Sequence, residues 1–220
     1  MLQEHEHVVA AASRVDAVLW GVFGLTQEVF TRAIQAGFVE RLNSVAADPT
    51  TAAGFDAWRY TVRVLRQELE ERGWRLDNPR NLPLAIRDDL RVNMTISSGD
   101  ILTGINGKEQ PKSKNPRGEM FKAAIDRNID QVPLLPEMLT DAESLYYLTF
   151  QYPTWVLLIH FEDEAIRAEL SLPITQDGED RLSGWKHRII LDVPLPGEEH
   201  VTDIHDDGDD DIVPEVRARS

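Results

Sequence analysis

The chain has 220 residues, no cysteine, and 23 Lys and Arg against 38 Asp and Glu, for a formal net charge of -15. Without a thiol there is no disulfide framework, cysteine-ligated zinc, iron–sulfur cluster or cysteine nucleophile. The acidic balance argues against a general polyanion binder, which needs a basic excess to coat phosphates.

The first twenty residues carry acids and histidines where a signal peptide needs a positive region, so a cytoplasmic protein is expected. Val15, Val18, Leu19, Val22 and Phe23 follow the spacing of one buried helical face. A second helix is predicted from Thr26 as N-cap, with Glu28 in its first turn and Phe30, Ile34, Leu42 and Val45 as its stripe. Gly37 interrupts that stripe and points to a close helix crossing. Asp48-Pro49 opens a third helix, with Trp58, Val62, Leu65 and Leu69 on one face and Gly73 as its left-handed stop. The short connections predict a three-helix unit over residues 8–73.

Beyond Gly73 the period changes. Pro79 and Pro83 break helix, and Leu90–Ile96 alternates apolar and polar residues like a half-buried strand. Residues 97–118 show no periodicity. Met120, Phe121, Ala124, Ile125 and Ile129 then describe a short amphipathic helix, and Thr140 with Glu143 fits a capping box before Leu145, although LYYLTF equally fits a strand. Alternation returns in Trp155, Leu157, Ile159 and Phe161, in Ile166, Ala168, Leu170 and Leu172, and in Ile189, Leu191 and Val193. A tight turn at Asp163-Glu164 and a longer loop over 176–183 predict three antiparallel strands. WVLLI, the longest apolar run, is strand length and far short of the ~20 residues that span a bilayer.

The expected fold is α+β: an N-terminal helical part (8–73) packed against a C-terminal antiparallel sheet, within one domain over 1–195. Residues 196–220 hold nine acids against Arg217 and Arg219, a net of -7 that leaves -8 for the rest. Such a segment is too charged and too poor in large apolar residues to fold alone, so a disordered acidic tail is expected.

Residue patterns with catalytic potential are sparse. GINGKE lacks the glycine five residues before its Gly-Lys pair and the following Ser or Thr, so it is not a phosphate-binding P-loop. His5-Glu6-His7 sits at a fraying chain end and reads as solvated. Alternation puts His160 and His187 on opposite faces of the sheet, about 10 Å apart across two strand spacings, too far to share a metal. Glu162 and Glu169, with Asp163 and Glu164, form an acidic cluster that lacks the lysine a metal-dependent nuclease would place beside its second acid. No Ser/His/Asp spacing or GxSxG elbow is present. Among the tryptophans, Trp58 and Trp155 read as core, whereas Trp20, Trp74 and Trp185 lie near element ends where an indole can anchor an interface. No catalytic residue, cofactor or metal is therefore expected.

Residues 97–118, SSGDILTGINGKEQPKSKNPRG, stand out by charge: Lys108, Lys112, Lys114 and Arg117 against Asp100 and Glu109. An aperiodic loop of about twenty residues inside a compact domain is usually functional or disordered. Pro111 and Pro116 stiffen it, which lowers the ordering cost of binding. The four cations are candidate contacts for an acidic partner or for phosphate, or the loop docks on the protein's own acidic surface. The expected function is a non-enzymatic interaction or regulatory subunit that docks on a protein partner through this loop and the acidic tail. The alternative is a nucleic-acid-associated protein, binding or nuclease-like, in which the loop contacts phosphates.

Overall fold

A computed structural model describes residues 7–129 and 150–197. The acidic segment from residue 198, the Thr140/Glu143 capping box, and His5 and Glu6 lie outside these. The elements run β1 (His7–Val9), α1 (Ala12–Phe23), α2 (Gln27–Leu42), α3 (Ala52–Glu71), β2 (Arg75–Asp77), β3 (Leu84–Arg87), β4 (Val92–Ser98), α4 (Glu119–Asn128), β5 (Thr154–Phe161), β6 (Ile166–Gln176) and β7 (Leu182–Leu191). One seven-stranded sheet has the order β1-β7-β6-β5-β4-β3-β2. The fold is α+β.

The sheet is mixed, which corrects the expectation of an antiparallel one. β5, β6 and β7 form the predicted antiparallel meander, but β4 runs parallel to β5 and β1 parallel to β7. A parallel pair needs a long crossover. The basic loop and α4 both belong to the connection between β4 and β5. His7, read as part of a solvated end, is instead the first residue of β1, in register with His187.

The helical stripes form because residues three and four apart share a face. Val15, Leu19 and Phe23 of α1, Phe30, Ile34 and Phe38 of α2, and Leu65 and Leu69 of α3 are buried against Leu157, Ile159, Leu170 and Ile189 of the sheet. Each fully buried side chain of this size stabilises the fold by ~1.5–3 kcal/mol. Phe23 meets Trp155 edge-on, with ring centroids 5.1 Å apart. α2 and α3 lie antiparallel, joined by Arg32 to Glu68 at 2.9 Å. Gly37 makes their contact possible: a Cβ there would fall 2.0 Å from Thr61 Oγ1 and 2.5 Å from the Ala57 carbonyl. The α2 N-terminus departs from expectation in its cap. Thr26 makes no side-chain cap bond, and Asp16 of α1 accepts from the Gln27 N–H at 2.9 Å. Leu42 and Val45, predicted on the α2 stripe, are exposed; α2 ends at Leu42, so Val45 has left the helical register.

The opposite face is also buried. Phe121, Ala124 and Ile125 of α4 pack on Val156 and Leu158 with Leu182 and Trp185. Trp74 and Trp185 are therefore core residues and not interface anchors, while Trp20 is exposed. β4 spans Val92–Ser98 and not Leu90–Ile96, and it is buried on both faces. Its polar residues point into protein and find partners there: Asn93 donates to the Tyr152 carbonyl at 3.0 Å and Thr95 to the Pro83 carbonyl at 2.8 Å.

Candidate functional site

The basic loop is folded down onto β6 and β7. Its path is fixed by backbone bonds: Ser113 N–H to the Leu182 carbonyl at 3.0 Å, Lys114 N–H to Ser98 at 2.9 Å, and Arg117 N–H to Asp180 at 2.7 Å. The Trp185 indole donates to the Pro111 carbonyl at 2.8 Å. Asp100 ties the two arms together by accepting the N–H groups of Leu102 at 3.1 Å and Lys112 at 3.0 Å.

Beneath the loop lies a buried ion pair. Arg188 of β7 meets Glu169 of β6 in a fork, Nε to Oε1 at 3.0 Å and Nη2 to Oε2 at 2.6 Å, and both side chains have 0% exposure. Ser171 donates to the same carboxylate at 2.8 Å, as does the Gly104 N–H at 2.8 Å, and Arg188 donates to the Ile105 carbonyl at 3.0 Å. A buried carboxylate with this many donors has most of its lost hydration replaced. Gly104 closes over the pair because it has no side chain. Its φ is +72°, and a Cβ would sit 3.1 Å from the Ala168 nitrogen. Arg188 is a site residue that sequence reasoning missed, and Glu169 has an anchoring role that differs from the acidic cluster considered for it. The signal available was weak: Glu169 stands between the apolar Ala168 and Leu170, but Arg188 follows Lys186 and His187 and reads as one more basic residue of a mixed strand.

The four loop cations are placed differently. Lys112 Nζ sits 2.9 Å from Asp177 Oδ2. That ammonium, with the N–H groups of Arg181 and Glu179, holds the Asp177 carboxyl down at about 2. Arg117 is half-buried: it bonds the Ser97 hydroxyl and lies 5.4 Å over the Phe121 ring. Burial pushes its guanidinium pKa down, and its Nε finds no hydrogen-bond partner among the described residues. Lys108 and Lys114 are exposed. Lys112 and Arg117 are thus engaged within the chain, although Lys112 remains 47% exposed, and Lys108 and Lys114 are exposed as well.

Lys114 borders a cleft of about 70 Å³ at the carboxyl ends of parallel β4 and β5, lined also by Arg41, Trp58, Ser98, Gly99 and His160. Carboxyl ends of parallel strands are where open sheets with helices most often hold ligands. His160 approaches the Gly99 carbonyl through Nδ1 at 3.3 Å and Glu162 through Nε2 at 3.6 Å, and Glu162 also pairs with Arg167 at 3.2 Å. Arg41 reaches Asp163 of the β5–β6 turn at 3.4 Å. His187 lies on the helical face of the sheet, stacked on Trp155 with centroids 5.9 Å apart, and burial lowers its pKa. Glu162 and Glu169 have different partners, and no cluster of three or more potential metal ligands occurs among the described residues.

Exposed apolar side chains gather at the same end of the α2/α3 pair. Leu42 is 61% exposed and Phe55 57%, and the Phe55 ring lies 6.0 Å from that of Trp58, tilted by 41°; Trp58 also lines the cleft. The fold and site define an α+β domain with a mixed sheet and a small cleft with a cationic and apolar rim. No helix among the described residues is long and apolar enough to cross a membrane. Comparison with protein-family models, curated proteins and solved structures finds no match.

Proposed function

We propose that the protein is a non-enzymatic interaction subunit that docks on a protein partner through the rim of the β4/β5 cleft. The partner presents an acidic segment interrupted by aliphatic residues. One observation carries this reading: exposed Lys114, half-buried Arg41 and Trp58 line one cleft, with exposed Leu42 next to Arg41 in the chain and exposed Phe55 against Trp58. Apolar anchors beside exposed cations suit an acidic peptide better than a nucleic-acid backbone, and two of the four loop cations are already engaged within the chain. The acidic residues from 198 onward form a second contact surface, suited to a basic partner.

The test is fluorescence anisotropy with a labelled peptide of Asp and Glu interrupted by Leu, alongside a labelled single-stranded DNA. The peptide is expected to bind, and Lys114→Ala combined with Phe55→Ala to weaken it about tenfold or more. Unchanged affinity in that variant overturns the reading. Tight DNA binding with a salt slope that flattens when Lys108, Lys112, Lys114 and Arg117 become Ala supports the nucleic-acid alternative instead.

A further inference from the structure

The turn at Pro79–Asn81 and the start of α4 border a second cleft, of about 410 Å³, on the α4 side of the sheet. It shares no lining residue with the β4/β5 cleft. Its volume falls in the range of small-molecule pockets, about 300–1,000 Å³. Leu82 and Phe121, members of the apolar cluster under α4, give it an apolar side, and Arg80 and Arg117 give it charge. Arg117 is half-buried without a counter-ion: it bonds the Ser97 hydroxyl through Nη2 and lies over the Phe121 ring, and no carboxylate pairs with it among the described residues. One hydroxyl and one ring replace only part of the hydration such a cation has lost. Arg80 reaches the cleft from a backbone with φ of 45°, followed by Asn81 at 65°. Left-handed residues other than glycine are uncommon, and they cluster at ligand clamps.

We propose that this cleft binds a small organic phosphomonoester, with the phosphate between Arg80 and Arg117 and the apolar body against Leu82 and Phe121. Near neutral pH a phosphomonoester carries close to two negative charges, which two guanidinium groups balance; a carboxylate carries one. Further donors stand beside Arg117. Gly118 is the N-cap of α4 and has no side chain to cap it. The N–H groups of Phe121 and Lys122 return to the Gly118 carbonyl at 2.9 and 3.4 Å, whereas those of Glu119 and Met120 bond no described residue. A helix start offers such groups to an external acceptor. Gly118 also keeps them open by choice of residue and not by lack of space: its φ is -75°, and a Cβ there would meet nothing within 4 Å. Glu119 borders the same cleft with an exposed carboxylate, which opposes the ligand and limits its affinity.

Phenyl phosphate is the probe, titrated into the full chain and followed by amide NMR, with benzoate and inorganic phosphate in parallel. Saturable shifts are expected at the Glu119 and Met120 amides, with phenyl phosphate bound about tenfold more tightly than either control. Gly118→Asp places a capping carboxylate on the N–H groups the phosphate would use. It should weaken binding about tenfold or more while the urea midpoint holds or rises, because aspartate caps a helix better than glycine. Arg80→Gly removes one cation and relaxes the left-handed turn, and should weaken binding about tenfold with the fold intact. Glu119→Gln should tighten it a few fold. No saturable shift at these amides, or parent affinity in Gly118→Asp or Arg80→Gly, overturns the proposal. So does benzoate or inorganic phosphate bound as tightly as phenyl phosphate. Binding of the acidic peptide stands or falls separately, since the two clefts have no residue in common.

Discussion

The two faces of the sheet are built by different rules. On the helical face, Leu19, Phe30 and Leu69 share one apolar cluster with Leu157, Leu170 and Ile189. Such packing depends on volume and hardly on direction. On the opposite face, the apolar cluster under α4 gives way beneath the loop to a carboxylate of β6 and a guanidinium of β7 whose orientation is set by Ser171, Gly104 and Ile105. The first face can lose a methylene and sag; the second cannot lose a partner without stranding a charge. The basic loop belongs to the second face, which explains why an acidic protein keeps it: its backbone closes the ion pair, Lys112 pairs with Asp177, and Arg117 bonds the Ser97 hydroxyl.

Separating the partners of that ion pair should have the largest effect. Glu169→Leu leaves Arg188 charged and buried, and Arg188→Met leaves the carboxylate likewise, so each is expected to cost about 3–5 kcal/mol. The double variant should recover most of that loss, because a packed apolar pair is often neutral or stabilising relative to a buried ion pair. Urea unfolding of the three variants measures the coupling. A double variant as unstable as the sum of the singles would mean that the polar lid, and not the pair, holds this face.

On the helical face the matching experiment is Leu157→Ala, expected to cost about 2–5 kcal/mol through lost transfer energy and a cavity. Here the comparison sharpens: no second substitution across the face should rescue it unless it restores volume. Gly104→Ala comes next, at about 1–2 kcal/mol, because its φ of +72° is costly for any L side chain. The Ala168 backbone 3.1 Å from the added Cβ leaves little room to relax. An unchanged urea midpoint would show that the lid is not pressed onto β6.

This division also sets what could be read in the sequence. The helical stripes of α1 and α3, the crossing at Gly37 and the β5–β7 meander announce themselves through periods of 3.6 and 2. β4 misleads because Asn93, Thr95 and Ser97 look solvent-facing, yet their partners are backbone carbonyls and an arginine from distant segments. Asn128 behaves the same way. It is buried and bonded at 2.8 Å to the Thr154 N–H and at 2.7 Å to the Pro173 carbonyl, contacts between residues far apart in the chain. Parallel pairing of β4 with β5 is equally hidden, since alternation does not record strand direction. The loop was legible as a charged anomaly, but which of its cations face out depends on where β6 and β7 place Asp177 and the turn at 177–181.

The smallest expected effect lies where the loop meets that turn. The Asp177 carboxyl is held at about 2 against an ordinary 3.8, chiefly by Lys112 and then by the N–H groups of Arg181 and Glu179. Its pKa is lower in the folded state, so its contribution to stability is fully present above about 3.8 and is lost as pH falls through about 2. Asp177→Asn should therefore reduce stability slightly at neutral pH, with the variant and parent curves converging as pH approaches 2. Lys112→Ala should raise the Asp177 midpoint only part of the way, because the backbone donors of the turn at 2.9 and 3.0 Å remain. Carboxyl-carbon NMR titration reads that midpoint directly. A midpoint that Lys112→Ala leaves unchanged would mean that Lys112 does not hold the loop to the turn.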